Sequence, residues 1–254
     1  MILELMTIIF ICVVLASVTY HKGMLDAGGS ATAFAMGIII GLFGGIEWIL
    51  LLLIFLASAF LATRYKFNYK KEHGFQEGKK GERGVINVLA NGLVPTLLAL
   101  IHNSGNSLNP VSFSMFPYKI VAFLFITSVA CAASDTLASE MGILSDKTYL
   151  ITTLKRVKPG TNGGISLYGE MWAFIGAAYT FAISFIVFYI LEGLFIDISL
   201  IIFGIFIGFM SCQIDSIIGA VLERKGLIGK STVNLVAVSV SIIIAGTIIW
   251  LIRF

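Results

Sequence analysis

The stretch VAFLFITSVACAASDTLASE, residues 121–140, decides how this chain folds. Up to Ala133 it is uncharged and reads as a helix buried in hydrocarbon. It then ends on Asp135 and Glu140, with Thr136 and Ser139 between them. Backbone groups inside a bilayer must be satisfied within the chain, so an apolar run of about 20 residues reads as a membrane-spanning helix. A carboxylate at the centre of such a helix costs roughly 2.5–3.5 kcal/mol. Acids in this run belong at its end, and they call for a cation, a proton or a basic partner.

Composition extends the reading to the whole chain. Of 254 residues, 58% are hydrophobic and only 12% are charged, and the mean hydropathy is +0.98. A soluble domain is nearer about 45–50% apolar and about 25% charged. The chain is therefore an integral membrane protein. No polar stretch is long enough for a separate domain, so residues 1–254 are expected to form a single transmembrane domain. Apolar segments lie at about 1–19, 31–45, 46–62, 85–101, 119–140, 171–191, 198–218 and 231–252. The expected fold is an all-α polytopic membrane protein of seven to eight transmembrane helices. The glycine-bearing segment 31–45 is the short or half helix. Residues 1–19 lack a basic start and a small-residue cleavage site, so they read as a retained span. Cys12, Cys131 and Cys212 lie in apolar runs without CxxC spacing and read as core thiols.

Charge orients the spans. Of the 17 Lys and Arg, seven fall in 63–84, four in 141–170 and three in 219–231, with Lys22 in the loop 20–30. With eight spans these loops share one side, which the positive-inside rule makes the cytoplasm. Both termini are then outside, and the membrane is the cell membrane. Trp48 and Trp250 are expected at the outer interface and Trp172 at the inner one.

The loops on that side carry the chemistry. Asp135 and Asp215 each close an apolar segment and are each followed by a hydroxyl and small residues, in DTLAS and DSIIGA. This is a weak internal repeat. Glu140 lies five residues beyond Asp135, about 140° around a helix, so the two do not share one ion on a regular helix. All three acids could alternatively be interfacial and reach out to water. The turn KPGTNGGIS (158–166) can aim successive N–H groups at an anion, with Thr161 and Ser166 adding hydroxyls. It can equally be a flexible turn, and without a following GK[ST] it is not a Walker A loop. Lys79, Arg83, Asn87 and Asn91, spaced by four, form one polar helix stripe. That stripe should face a wet cavity, although Asn91 could instead bond a neighbouring helix. Lys80 and Arg156 are further candidates for phosphate, and Asp26, Glu223 and Asn234 are weaker candidates. Lys70 and Lys71 read as a solvated loop face. Carboxylates that bind Mg²⁺, with basic side chains and glycine-loop amides for phosphate, suit phosphoryl or nucleotidyl transfer to a lipid. His21, His73 and His102 show no triad or zinc spacing, so serine hydrolase and zinc protease readings are unsupported. Nothing points to nucleic acid.

RGVINVLANGLVPTLLAL (83–100), DTLASEMG (135–142), GTNGGIS (160–166) and DSIIGA (215–220) resemble the phytyl-phosphate kinase family of integral membrane proteins, which serves the vitamin E pathway in plants. The resemblance runs from about residue 22 to about residue 240. It implies a helical membrane enzyme that transfers a phosphoryl group, with Mg²⁺, from CTP or another nucleoside triphosphate to an isoprenyl monophosphate such as geranylgeranyl or phytyl phosphate. Arg83, Asn91, Asp135, Glu140, Thr161, Asn162, Gly163, Gly164, Asp215 and Gly219 match the family pattern. Asp135, Asp215 and Glu140 are then the catalytic and metal-binding acids, Glu140 serving a second ion, a metal-bound water or a neighbouring cation, and Arg83 is catalytic. Asn87, Asn91, Thr161, Asn162, Gly163, Gly164 and Ser166 are placed with Lys80 and Arg156 at nucleotide and phosphate. Asn87 departs from an expected Gln, and GKST (229–232) from a more Asn-rich stretch. The partners are an isoprenoid lipid phosphate, a nucleoside triphosphate and the bilayer, and a homo-oligomer is compatible. Two rivals are a CTP-dependent lipid cytidylyltransferase and an ion- or proton-coupled transporter. Charge clustered on one side, not at the midplane, argues against the transporter. Two juxtapositions follow: Asp135 meets Asp215, and Arg83 and Asn91 line the cavity of the 160–166 turn.

Overall fold

A computed structural model describes residues 2–76, 81–103 and 117–252. Each apolar segment read from the sequence is a helix: α1 (Ile2–His21), α2 (Ala27–Phe43), α3 (Ile46–Arg64), α5 (Val85–Asn103), α6 (Tyr118–Gly142), α7 (Leu167–Glu192), α8 (Ile198–Ile218) and α9 (Lys230–Ile252). A short helix, α4 (Phe67–Glu72), follows α3, and a π turn over Gly219–Glu223 prolongs α8. Among the described residues, six helices are long and apolar enough to cross a membrane: α3, α5, α6, α7, α8 and α9. Shorter apolar stretches lie in α1 (Leu5–His21) and in α2, the segment expected to be short.

The run 121–140 lies in the hub of the bundle. Helix α6 packs against α3, α5, α7, α8 and α9, and 94% of its most apolar stretch is buried inside the protein. Its seam with α7 needs small residues, because a Cβ at Gly176 would stand 2.8 Å from the Ala133 carbonyl oxygen. Close backbone approach of this kind drives packing where lipid offers no hydrophobic contrast. Phe123, Phe125, Phe181, Phe188 and Trp48 are fully buried around α6. Trp48, in the first turn of α3, packs inside the protein on Phe125, with ring centroids 4.0 Å apart, and does not face lipid. Trp250 is exposed, and Trp172 is half-buried. Cys12, Cys131 and Cys212 are free and buried, as core thiols should be. Large apolar side chains such as Phe10, Ile190, Ile243 and Leu251 face outward, as a lipid-facing surface requires.

Contacts among the helix ends show that the cation-bearing loops converge. Arg64, ending α3, donates to the Lys22 carbonyl just after α1. Leu25, before α2, bridges to Arg83, before α5. The end of α6 meets the start of α7 at Gly142 and Gly169, and Gly219 beyond α8 touches Gly163. Asn234, early in α9, donates to Asp135. Between α6 and α7 the chain also forms a small antiparallel sheet that the sequence reading did not contain. Its strands are β1 (Thr148–Leu150), β2 (Arg156–Val157) and β3 (Gly164–Ile165), in the order β2-β1-β3.

Candidate active site

Helices α6 and α8 bring Asp135 and Asp215 to one cavity of about 260 Å³ at this end of the bundle. Glu170 from α7, Glu223 from the π turn and Lys230 from α9 also line it. Asp135 Oδ2 accepts from Asn234 Nδ2 at 2.9 Å, and Glu170 Oε2 accepts from Gln213 Nε2 at 2.5 Å. Asp215 Oδ2 is buried with no hydrogen-bond partner. Four carboxyl groups face one another here with Lys230 as the cation among them. Like charges at close quarters in a medium of low dielectric repel strongly, so the cavity favours added positive charge.

The glycine turn forms the cavity's other wall. Thr161, Asn162, Gly163 and Gly164 line it. Gly163 has φ +73°, and a Cβ there would stand 2.4 Å from Ala220 Cβ and 2.6 Å from the Ser216 carbonyl oxygen. Only glycine lets the turn rest on the end of α8, and π turns of this kind frequently mark functional sites. Part of the expected donor set is spent inside the turn. Thr161 donates its N–H (3.2 Å) and its hydroxyl (2.7 Å) to the Lys158 carbonyl, and Gly164 N–H donates to Thr161 O at 2.8 Å. The amides of Asn162 and Gly163 take no part in these bonds. Ser166 also lines the cavity and is the N-cap of α7, accepting from Gly169 N–H at 3.1 Å.

Glu140 also borders this cavity, but its carboxylate is occupied. Lys70 Nζ lies 2.7 Å from Oε2, Thr63 donates to Oε1 at 2.7 Å, and Arg83 Nη2 is 3.6 Å from Oε1. Lys70 Nζ also donates to the Ala62 carbonyl at 2.7 Å. Of the roles expected for Glu140, that of partner to a neighbouring cation is the one these contacts show. Lys70, read as solvated, is only 1% exposed and belongs to this cluster.

The stripe on α5 meets a different space. Arg83, Asn87 and Asn91 line a second cavity of about 140 Å³ walled by α1, α2, α3 and α5, and do not line the cavity of the 160–166 turn. Asn87 and Asn91 share a face of α5 that looks toward α2, whereas Arg83, expected on the same helix, precedes it and bridges to Leu25. Asn91 donates to Asn87 O at 2.9 Å, and its Oδ1 is buried without a partner. Asp26 is the N-cap of α2, accepting from Gly29 N–H at 2.6 Å. Arg156 is exposed, donates to Asp146 O at 3.1 Å and does not line the acidic cavity. Lys79 and Lys80 lie outside the described residues. The sequence reading missed Glu170, Lys70 and Lys230. Each had a signal: an acid inside an apolar run, a lysine within reach of an unpaired acid, and the lysine of GKST.

Among the described residues, no group of three or more His, Cys, Asp or Glu side chains is set to hold a metal by itself. Mg²⁺ does not require one, since it commonly takes one or two carboxylates and completes its shell with water and phosphate oxygens. Asp135 and the unpartnered oxygen of Asp215 fit that pattern.

Residues 10–248 match the family described as Integral membrane protein DUF92. An uncharacterized membrane protein of Methanocaldococcus jannaschii is 34% identical over 94% of this chain and 91% of its own length. Protein PGR of Arabidopsis thaliana is 30% identical over 82% of the chain and 75% of its own length. Protein VTE6, chloroplastic, of the same plant is 34% identical over 58% of the chain and 43% of its own length. No solved structure matches. With nearly its full length matched, the chain belongs to the DUF92 family of integral membrane proteins.

Proposed function

We propose that the protein is a prenyl-phosphate kinase. It would transfer a phosphoryl group from CTP or another nucleoside triphosphate to a membrane-embedded isoprenyl monophosphate such as geranylgeranyl or phytyl phosphate. One observation carries this reading: two span-ending aspartates, one with an unpartnered buried oxygen, share a cavity with a glycine turn and Lys230. The likeness to Protein VTE6 and the matching motifs support it.

The acceptor makes few chemical demands. A phosphate monoester has its second pKa near about 6, so it is largely dianionic at pH 7 and needs no general base. Bound Mg²⁺ would supply the charge neutralisation that lets two polyanions meet. Asp135 and Asp215 would hold it, with Asn234 fixing the orientation of Asp135. Lys230 and the amides of Asn162 and Gly163 would hold the donor's phosphates. By the positive-inside rule this end faces the cytoplasm, where the nucleotide is.

The test is purified protein with geranylgeranyl phosphate, Mg²⁺ and each nucleoside triphosphate in turn. A nucleoside diphosphate and prenyl diphosphate are expected. Pyrophosphate with a cytidylylated lipid would make the enzyme a cytidylyltransferase, and neither pair of products with any donor would overturn the assignment.

A further inference from the structure

The two cavities have opposite chemistry. The acidic one carries the aspartates and the glycine turn. The other is lined by apolar side chains of α1, α2 and α3, with Leu15, Phe34, Ile40 and Leu53 among them. Its polar groups come mainly from α5 and the residues before it: Arg83, then Asn87 and Asn91, one and two turns deeper. Among the described residues that line it, Arg83 is the one charged side chain and no acid is present. Leu15, Phe34 and Leu53 are only half-buried, so the cavity opens toward the outer surface of the bundle. The cavities meet at one ion pair, because Glu140 borders the first and Arg83 lines the second, 3.6 Å apart.

We propose that the apolar cavity is the acceptor subsite: it holds the first part of one apolar chain, with the anionic head turned to Arg83. Charge and shape choose this occupant. An apolar sleeve with a guanidinium at its polar end suits a chain ending in phosphate, since Arg recognises phosphate by directed hydrogen bonds. The volume of about 140 Å³ is below the roughly 300–1,000 Å³ that encloses a whole drug-sized ligand. One chain therefore enters part-way and its remainder stays in the bilayer. A head held at Arg83 lies beside Glu140, at the border of the acidic cavity. That the chain is a prenyl chain rests on the kinase reading; the pocket's preference for an anion on an apolar chain does not.

Binding without nucleotide separates the two. Protein in nanodiscs would be titrated with radiolabelled geranylgeranyl monophosphate, with geranylgeraniol and inorganic phosphate as competitors. Saturable binding is expected, with the alcohol competing more weakly by about tenfold or more and inorganic phosphate failing to displace the probe. Ala33→Phe and Ala16→Phe fill the cavity from two walls, since both alanines line it. Each variant displaces buried CH₂ groups of the chain, so it should weaken binding by about tenfold or more at unchanged unfolding temperature. If either variant is poorly folded, a diazirine-bearing prenyl phosphate on the unaltered protein replaces it, with label expected in the α2 and α5 peptides. Binding unaffected by filling, label confined to α7–α9, or an alcohol that binds as tightly as the phosphate overturns the proposal. Tight, Ala33-sensitive binding with no turnover on any nucleotide would keep the pocket and remove the kinase.

Discussion

Asp135 and Glu140 end the same helix, and they meet opposite surroundings. Asp135 faces three other acids and an amide donor, while Glu140 is held by Lys70, Thr63 and, at longer range, Arg83. Their separation by about 140° around the helix made different partners legible in the sequence. The identity of Glu140's partner was not legible. Lys70 sits in a six-residue helix, FNYKKE, too short to show a periodicity, and it follows Lys66, whose φ of 51° redirects the chain. Removing one member of a buried pair leaves the other charge uncompensated, at a cost of about 3–5 kcal/mol. Glu140→Gln should therefore lower the unfolding temperature in detergent, and Lys70→Met combined with Glu140→Gln should recover much of it. An additive loss in the double variant would mean that the pair does not act as a unit. Asp135→Asn should behave differently, abolishing Mg²⁺-dependent turnover while leaving the protein folded and monodisperse. Near-normal turnover by that variant would sink the metal role of Asp135.

Among the elements, helices were readable and their neighbours were not. Apolar runs gave every major helix, and spacing by four placed Asn87 and Asn91 on one face of α5, with Arg83 just before it. Periodicity says which residues share a face; it does not say which helix that face meets, so the stripe was matched to the wrong cavity. The sheet between α6 and α7 escaped because strands of two or three residues carry no alternation. The glycine turn was seen for its backbone freedom, but its resting place on α8 depends on a contact between distant residues. A substitution pair tests that contact. Gly163→Ala meets both a positive φ and Ala220, whereas Gly193, with φ +67°, has nothing within 4 Å of an added Cβ and lies outside the acidic cavity. Positive φ alone costs about 1–3 kcal/mol. Gly163→Ala should raise the KM for the nucleotide and expose 158–162 to protease, while Gly193→Ala should do neither. Equal effects from the two would reduce Gly163 to a turn-former.

For the whole molecule, function depends on which way the converging ends face. A lipid phosphate and a nucleotide meet only where water, cations and the end of the apolar sleeve coincide, and here that is the end carrying most of the Lys and Arg. Lys/Arg bias predicts a cytoplasmic site, with the loop after α7 outside. Glu192 ends α7 before that loop, and an exposed Asp197 closes it, pairing with Lys119 at 2.7 Å. The three native cysteines are buried, so introduced ones report cleanly. Thr152→Cys, exposed between β1 and β2, and Phe195→Cys, exposed between α7 and α8, mark the two ends. An impermeant maleimide applied to intact cells should label position 195 at once and position 152 only after permeabilisation. The reverse pattern would put the acidic cavity where no nucleoside triphosphate is supplied. The kinase reading would then fail even if every residue of the site were placed as described, because the donor and the aspartates would lie on opposite sides of the bilayer.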